Sequence, residues 1–238
     1  MLQKFRHSNQ SSNDELPNIV FIMTAHPNQA KFLVVLDVDS TLIEQEVIEV
    51  LAEFAGKGAE VAEVTERAMR GELDFAGSLR ARVATLAGLS ESILDRAKDQ
   101  IRLTKGAKEL IEAVHASGGK VAAVSGGFEQ ILAPLAKTIG LDFYRANLLE
   151  IRDAKLTGDV VPPIIDKPAK ATALLEWATV LGLKPEQTIA IGDGANDLDM
   201  MQVAGLSIGF CAKPRVRAVA DVLIDSGDLA EVINILGL

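Results

Sequence analysis

Three short segments concentrate the side chains able to do chemistry: Asp37-Val38-Asp39-Ser40-Thr41, Ser125-Gly126-Gly127 and Gly192-Asp193-Gly194-Ala195-Asn196-Asp197. Brought to one place they would gather four aspartates, a serine at a glycine-rich turn and an asparagine. Carboxylates so close repel one another unless a cation sits among them. Oxygen ligands without His or Cys favour Mg²⁺ over zinc. A hard divalent ion beside a turn with free backbone N–H groups suits a phosphate, and a helix beginning near Phe128 would turn its N-terminus toward that anion. A carboxylate can attack phosphorus to give an acyl phosphate that water later hydrolyses. A second carboxylate two residues away can protonate the leaving oxygen and then activate the water.

The elements around these segments explain how they could meet. Phe32–Leu36, Lys120–Val124, Thr188–Ile191 and Leu206–Phe210 are short apolar runs of the kind that form buried parallel strands. Helix-spaced apolar sets lie between them, Ala107, Leu110, Ile111 and Val114 in one, Ala171, Leu174, Leu175 and Ala178 in another. Strands alternating with helices predict a three-layer α/β core around a mainly parallel sheet. Ligands of such sheets bind beyond the carboxyl ends of the strands, where all three segments fall. From Glu46 to Leu103 the alternation stops. Val47, Val50, Leu51 and Phe54, then Phe75, Leu79 and Leu86, then Ile93, Ala97 and Ile101, each share a helical face. This predicts a helical cap over residues 46–103, inserted into a core made of 32–45 and 104–238. Residues 1–31 read as an N-terminal extension, and Leu148–Val161 as a hairpin. Its Asp153-Ala154 turn, without the favoured glycine, predicts a loop longer than two residues. Pro134 should kink or split the helix that contains it.

Asp37-Val38-Asp39-Ser40-Thr41-Leu42, Val124-Ser125-Gly126-Gly127-Phe128, Lys170 and Gly192-Asp193-Gly194-Ala195-Asn196-Asp197 resemble, in order, the four motifs of the haloacid dehalogenase superfamily. Within it the chain is similar to the phosphoserine phosphatase family. That resemblance rests on Glu46, on Gly71-Glu72-Leu73-Asp74-Phe75 with Ser78-Leu79-Arg80-Ala81-Arg82-Val83, on Leu156-Thr157-Gly158-Asp159-Val160, and on Phe210-Cys211-Ala212-Lys213-Pro214. It implies a phosphoric monoester hydrolase that converts O-phospho-L-serine to L-serine and phosphate through an aspartyl-phosphate, the final step of L-serine biosynthesis. It implies Asp37 as nucleophile and Asp39 as general acid and base. Mg²⁺ would be held by the Asp37 carboxylate, the Asp39 backbone carbonyl and Asp193, with Asp197 in support. Ser125, Gly126 and Lys170 would hold the phosphoryl group and Asn196 would contact the substrate. Glu46 and Arg82 would bind its ammonium and carboxylate, beside Met69 and Phe75.

Plainer readings compete. Ser125 could be only a helix cap, since capping and phosphate binding share a geometry. Lys167 could serve in place of Lys170, which the motif alignment prefers. Glu46 falls with Glu49 and Glu53 on one helical face, which suits a solvated surface. Arg82 differs, because Phe75, Leu79 and Leu86 put it in the middle of an apolar stripe, where an arginine must be paired or stand at a pocket mouth. Cys211 reads as a packing residue. A phosphatase for another small phosphate shares every core motif, and a signalling receiver shares the carboxylates, the serine and the lysine. The helical insert and the second aspartate argue against the receiver.

Composition excludes other classes. With 24 Lys+Arg against 33 Asp+Glu the net charge is −9, unsuited to a nucleic-acid or anionic membrane surface. No apolar run approaches the roughly 20 residues of a membrane span. One cysteine permits no internal disulfide. The expectation is a soluble, cytoplasmic enzyme acting on a small-molecule phosphomonoester, with a homodimer left open.

Overall fold

The computed structural model describes residues 30–69 and 72–238, without the side chains of Ala68 and Met69. All but the last two residues of the N-terminal extension therefore lie outside it. Strand β1 (Leu33–Leu36) stands in the middle of a seven-stranded sheet of order β4-β3-β2-β1-β5-β6-β7. Its four residues are all buried and alternate between two cores. Val34 and Leu36 face α5 (Ala107–Ala116), α6 (Glu129–Ile139) and α10 (Glu231–Leu236), while Leu33 and Val35 face α7 (Lys167–Val180) and α8 (Leu198–Val203). A strand covered on both faces has no polar side to show, so it reads as an unbroken apolar run.

The remaining strands are β2 (Lys120–Phe128), β3 (Phe143–Arg152), β4 (Lys155–Val161), β5 (Thr188–Gly192), β6 (Leu206–Phe210) and β7 (Val222–Ile224). All neighbours pair parallel except β3 and β4, which form the expected hairpin. Its turn is shorter than the sequence suggests. Arg152 pairs with Lys155, and Asp153 and Ala154 take φ of 50° and 57°, both in the left-handed region. Such a two-residue turn matches the twist of the strands, and the hairpin holds Ala154 there despite its Cβ. Pro134 does not split α6, which runs through it. The buried face of α7 is Lys170, Ala173, Leu174, Trp177 and Ala178, with Leu175 exposed, a rotation from the face expected. Cys211 is exposed, with φ of 43°, and does not pack in the core.

Between β1 and α5 the chain forms α1 (Val47–Phe54), α2 (Gly58–Met69), α3 (Phe75–Ala84) and α4 (Ile93–Lys98). The two connections to this helical block run side by side: Glu44 N–H donates to Arg102 O and Thr104 N–H to Leu42 O, each at 3.0 Å. Asp74 begins α3 by accepting the Gly77 N–H, an N-cap that satisfies an otherwise unpaired donor. Leu79 and Leu86 are buried, each stabilising the packing by about 2 kcal/mol. The block is also stitched to the hairpin. Gly88 N–H donates to Leu156 O, Leu156 N–H to Leu89 O and Glu91 N–H to Ala154 O, at 2.8–2.9 Å. The last short helix, α9 (Pro214–Arg217), follows β6.

Candidate active site

The site lies at the carboxyl edge of β1, β2 and β5. Asp37 follows β1 and its N–H donates to Ile191 O of β5 at 2.8 Å, fixing where the side chain starts. Lys170, from the first turns of α7, places Nζ 2.5 Å from Asp37 Oδ1 and 2.7 Å from Asp197 Oδ1. These three side chains are 4% exposed or less, so their charges are met by one another rather than by bulk solvent. Burial opposes the Lys170 charge, but Asp197 and Asp37 outweigh it and hold the ammonium protonated. Burial and the Asp197 charge raise the Asp37 carboxyl well above its usual range, against the pull of Lys170. Lys167 instead pairs with Asp199 at 2.7 Å, away from Asp37. Of the two lysines, the fold brings Lys170 to Asp37.

Asp39 sits in a second network. Its Oδ1 accepts the Val47 N–H at 2.7 Å and its Oδ2 accepts the Ser125 hydroxyl at 3.0 Å. Burial, with the nearby Glu46 charge, pushes its pKa up to about 6. Ser125 Oγ in turn accepts the Gly127 N–H at 2.7 Å. Ser40 takes φ of 57°, turning the chain so that its hydroxyl donates to Glu46 Oε1 at 2.8 Å. Glu46 is thus turned toward the site and half-buried, unlike the exposed Glu49 and Glu53. Burial lowers the Arg82 pKa while Glu46 and Asp39 oppose it, which places the guanidinium within their field. Its Nε donates to Ser78 O at 3.3 Å. The Phe75 ring reaches the glycine turn, and a Cβ added at Gly126 would meet its Cζ at 2.9 Å. Helix α3 thus touches the glycine segment within β2. The side chain of Met69 lies outside the described residues.

Asp37, Asp193 and Asp197 present carboxylate oxygens all within 4.8 Å of one another, each residue buried. Lys170 and Lys213 supply two positive charges among these three negative ones. Lys213 Nζ pairs with Asp193 Oδ2 at 2.9 Å, and its N–H donates to Asp193 O. The sequence reading gave Lys213 no role. An all-oxygen, net negative, buried donor set fits a hard divalent cation. The Asp39 carboxylate stands outside this group, consistent with a different task. Asn196 lies half-buried on the same turn as Asp193 and Asp197, its Oδ1 folded over Gly194.

A second residue missed from sequence is Asn147, fully buried on β3. Its Nδ2 donates to Gly126 O at 2.9 Å and its Oδ1 accepts the Ile165 N–H at 2.8 Å. An isolated asparagine within Phe143–Arg152 carries no signal of this kind.

Residues 34–202 match the family described as haloacid dehalogenase-like hydrolase. The chain belongs to that family. A phosphoserine phosphatase of Streptococcus thermophilus is 53% identical over 209 residues, covering 88% of this chain and 97% of that one. This places the hydrolase in the phosphoserine phosphatase branch. A phosphoserine phosphatase of Mycobacterium tuberculosis is 51% identical over 88% of the hydrolase, which spans 51% of that relative's length. A solved structure described as a phospho-aspartyl intermediate analogue of phosphoserine phosphatase superposes with a TM-score of 0.83 at 41% identity, over 87% of the hydrolase and 100% of that chain. Among the described residues no helix is long and apolar enough to cross a membrane.

Proposed function

We propose that this hydrolase converts O-phospho-L-serine to L-serine and inorganic phosphate, with Asp37 as nucleophile and Asp39 as general acid and base, completing L-serine biosynthesis in the cytoplasm. The observation that carries the reading is that the two aspartates sit in separate contact networks. Lys170 binds the first at 2.5 Å and stabilises its anion, while the second is held apart by Val47 and Ser125.

In the first step an Asp37 oxygen bonds to phosphorus as the bond from phosphorus to the serine oxygen breaks. Asp39 gives its proton to that oxygen. In the second step water attacks the same phosphorus, Asp39 takes a proton from it, and the Asp37 carboxylate is released. A carboxyl with a pKa of about 6 is suited to both directions near neutral pH. Asp37, Asp193 and the Asp39 backbone carbonyl would hold Mg²⁺, supported by Asp197. The cation would supply positive charge for the phosphoryl oxygens. Ser125, the Gly126 N–H and Lys170 frame the phosphoryl position, with Asn196 at its side. Residues 46–103 act as a cap on the core of 32–45 and 104–238. From it Glu46 would meet the substrate ammonium and Arg82 its carboxylate, with Phe75 lining the pocket.

Phosphate release is to be measured from O-phosphoserine, phosphothreonine and a sugar phosphate, with Mg²⁺ and with EDTA. The reading requires EDTA-sensitive turnover with a strong preference for phosphoserine. Preference for another phosphate would keep the aspartates and overturn the cap assignments, and no turnover at all would overturn the function.

A further inference from the structure

The glycine segment within β2 is an interruption of the sheet. Val124 pairs with Arg145 and Phe128 with Asn147, so β2 spends four steps where β3 spends two. Two residues' worth of backbone must leave the ladder between these pairs, and their polar groups lose strand partners. The side chains of Asn147 and Ser125 replace those partners. Asn147 Nδ2 donates to Gly126 O at 2.9 Å, and the Gly127 N–H donates to Ser125 Oγ at 2.7 Å. The peptide joining Gly126 to Gly127 is therefore pinned at both its oxygen and its hydrogen.

The other end of Asn147 reaches a different element. Its Oδ1 accepts the Ile165 N–H at 2.8 Å, one residue before Asp166, the N-cap of α7. Asp166 accepts the Ala169 N–H at 3.0 Å, and Lys170 follows in the next position. One fully buried amide thus spans from the turn that carries Ser125 to the start of the helix that carries Lys170.

We propose that Asn147 is a positioning residue for phosphoryl recognition, setting the glycine segment within β2 and the start of α7 at a fixed separation. Its side-chain hydrogen bonds go to Gly126 and Ile165, and through these it acts on the two elements. The inference rests on the phosphatase reading above, and deepens it.

The test compares the wild-type chain with Asn147→Ala and Asn147→Asp. Each is followed by phosphate release from phosphoserine and by calorimetric titration with inorganic phosphate and, separately, with Mg²⁺. Thermal unfolding checks each fold. In folded Asn147→Ala, phosphate affinity and kcat/KM should each fall by about 100-fold, the scale for misplacing a positioning group by about 1 Å. Mg²⁺ affinity should stay within threefold of wild type. In Asn147→Asp one oxygen can still accept from Ile165, but the other can donate to Gly126 only when protonated. Its activity relative to wild type should therefore rise as pH falls. If Asn147→Ala does not fold, this ratio decides alone, and a flat ratio overturns the proposal. A folded Asn147→Ala with phosphate affinity and KM within threefold of wild type overturns it too, whatever its melting temperature. A wild-type chain that binds phosphate without hydrolysing phosphoserine would defeat the phosphatase reading, while the phosphate titrations would still judge Asn147.

Discussion

Lys170 Nζ stands 2.5 Å from Asp37 Oδ1 although 133 residues separate the two in the chain. The same ammonium stands 2.7 Å from Asp197 Oδ1, so one buried cation serves two buried carboxylates. A lone buried charge is costly, and each member of this trio is tolerable only because of the others.

Replacing Lys170 by Met should destabilise the fold by about 3–5 kcal/mol, since two carboxylates are left without their cation. Urea denaturation measures it. Lys170→Arg should not restore activity, because a planar guanidinium cannot occupy the same point between Asp37 and Asp197. An Arg variant with full turnover would contradict the assigned geometry.

Asp37→Asn should abolish phosphate release while the circular dichroism spectrum stays native. The amide keeps the volume of the carboxylate but cannot form the acyl phosphate. Substantial turnover by a cleanly folded variant would remove Asp37 as nucleophile.

Arg82→Ala should raise KM for phosphoserine at least tenfold more than for a phosphomonoester without a carboxylate, about the worth of one charge-assisted contact. Equal losses on both substrates would make Arg82 a structural residue.

Asp142 gives a pH prediction away from the site. Burial pushes its carboxyl up, but hydrogen bonds from Lys120, the Val121 N–H and His115 outweigh that and hold its pKa below the usual value. A depressed folded-state pKa adds stability above the unfolded-state pKa, and that stability is lost as pH falls through the folded value. Asp142→Ala should therefore cost about 1 kcal/mol at neutral pH. The gap from wild type should narrow as pH drops below about 4, as read by denaturation at several pH values.

Ala154→Gly should raise stability by about 1 kcal/mol, by relieving a Cβ held at φ of 57°. A lowered melting temperature would mean that the hairpin gains more from a stiffer unfolded chain than it loses in strain.

What the sequence made legible followed from burial on two faces and from motif order. The apolar run ending at Leu36 named its own strand, and the carboxylates after it marked the edge where Asp37, Asp193 and Asp197 come together. Strand β7 has three residues, too few for periodicity to register, and the first half of β3 contains Tyr144, Arg145 and Asn147 rather than an apolar run. The face of α7 is turned from the one the apolar spacing expects, because Lys170, 1% exposed, joins Ala173 and Trp177 in the buried stripe. Glu46 was ambiguous as well. Its spacing matches the exposed Glu49 and Glu53, and only the hydrogen bond from Ser40 turns it inward. Asn147 on β3 meets Gly126 and Ile165, and Lys213 meets Asp193, contacts across the fold that the spacing of residues along the chain does not reveal.

The central place of β1 also governs when the enzyme comes into being. Its two neighbours in the sheet begin at Lys120 and Thr188, so the earliest of these strands to be synthesised waits for segments far along the chain. A nascent chain that has emerged only as far as β4 carries both Asp37 and Asp39 but has no Lys170, Asp193 or Asp197 to complete the cluster. Joining such distant partners spends loop entropy before any contact rewards it, which slows folding. Activity should therefore appear late and all at once during synthesis, with no partially active precursor.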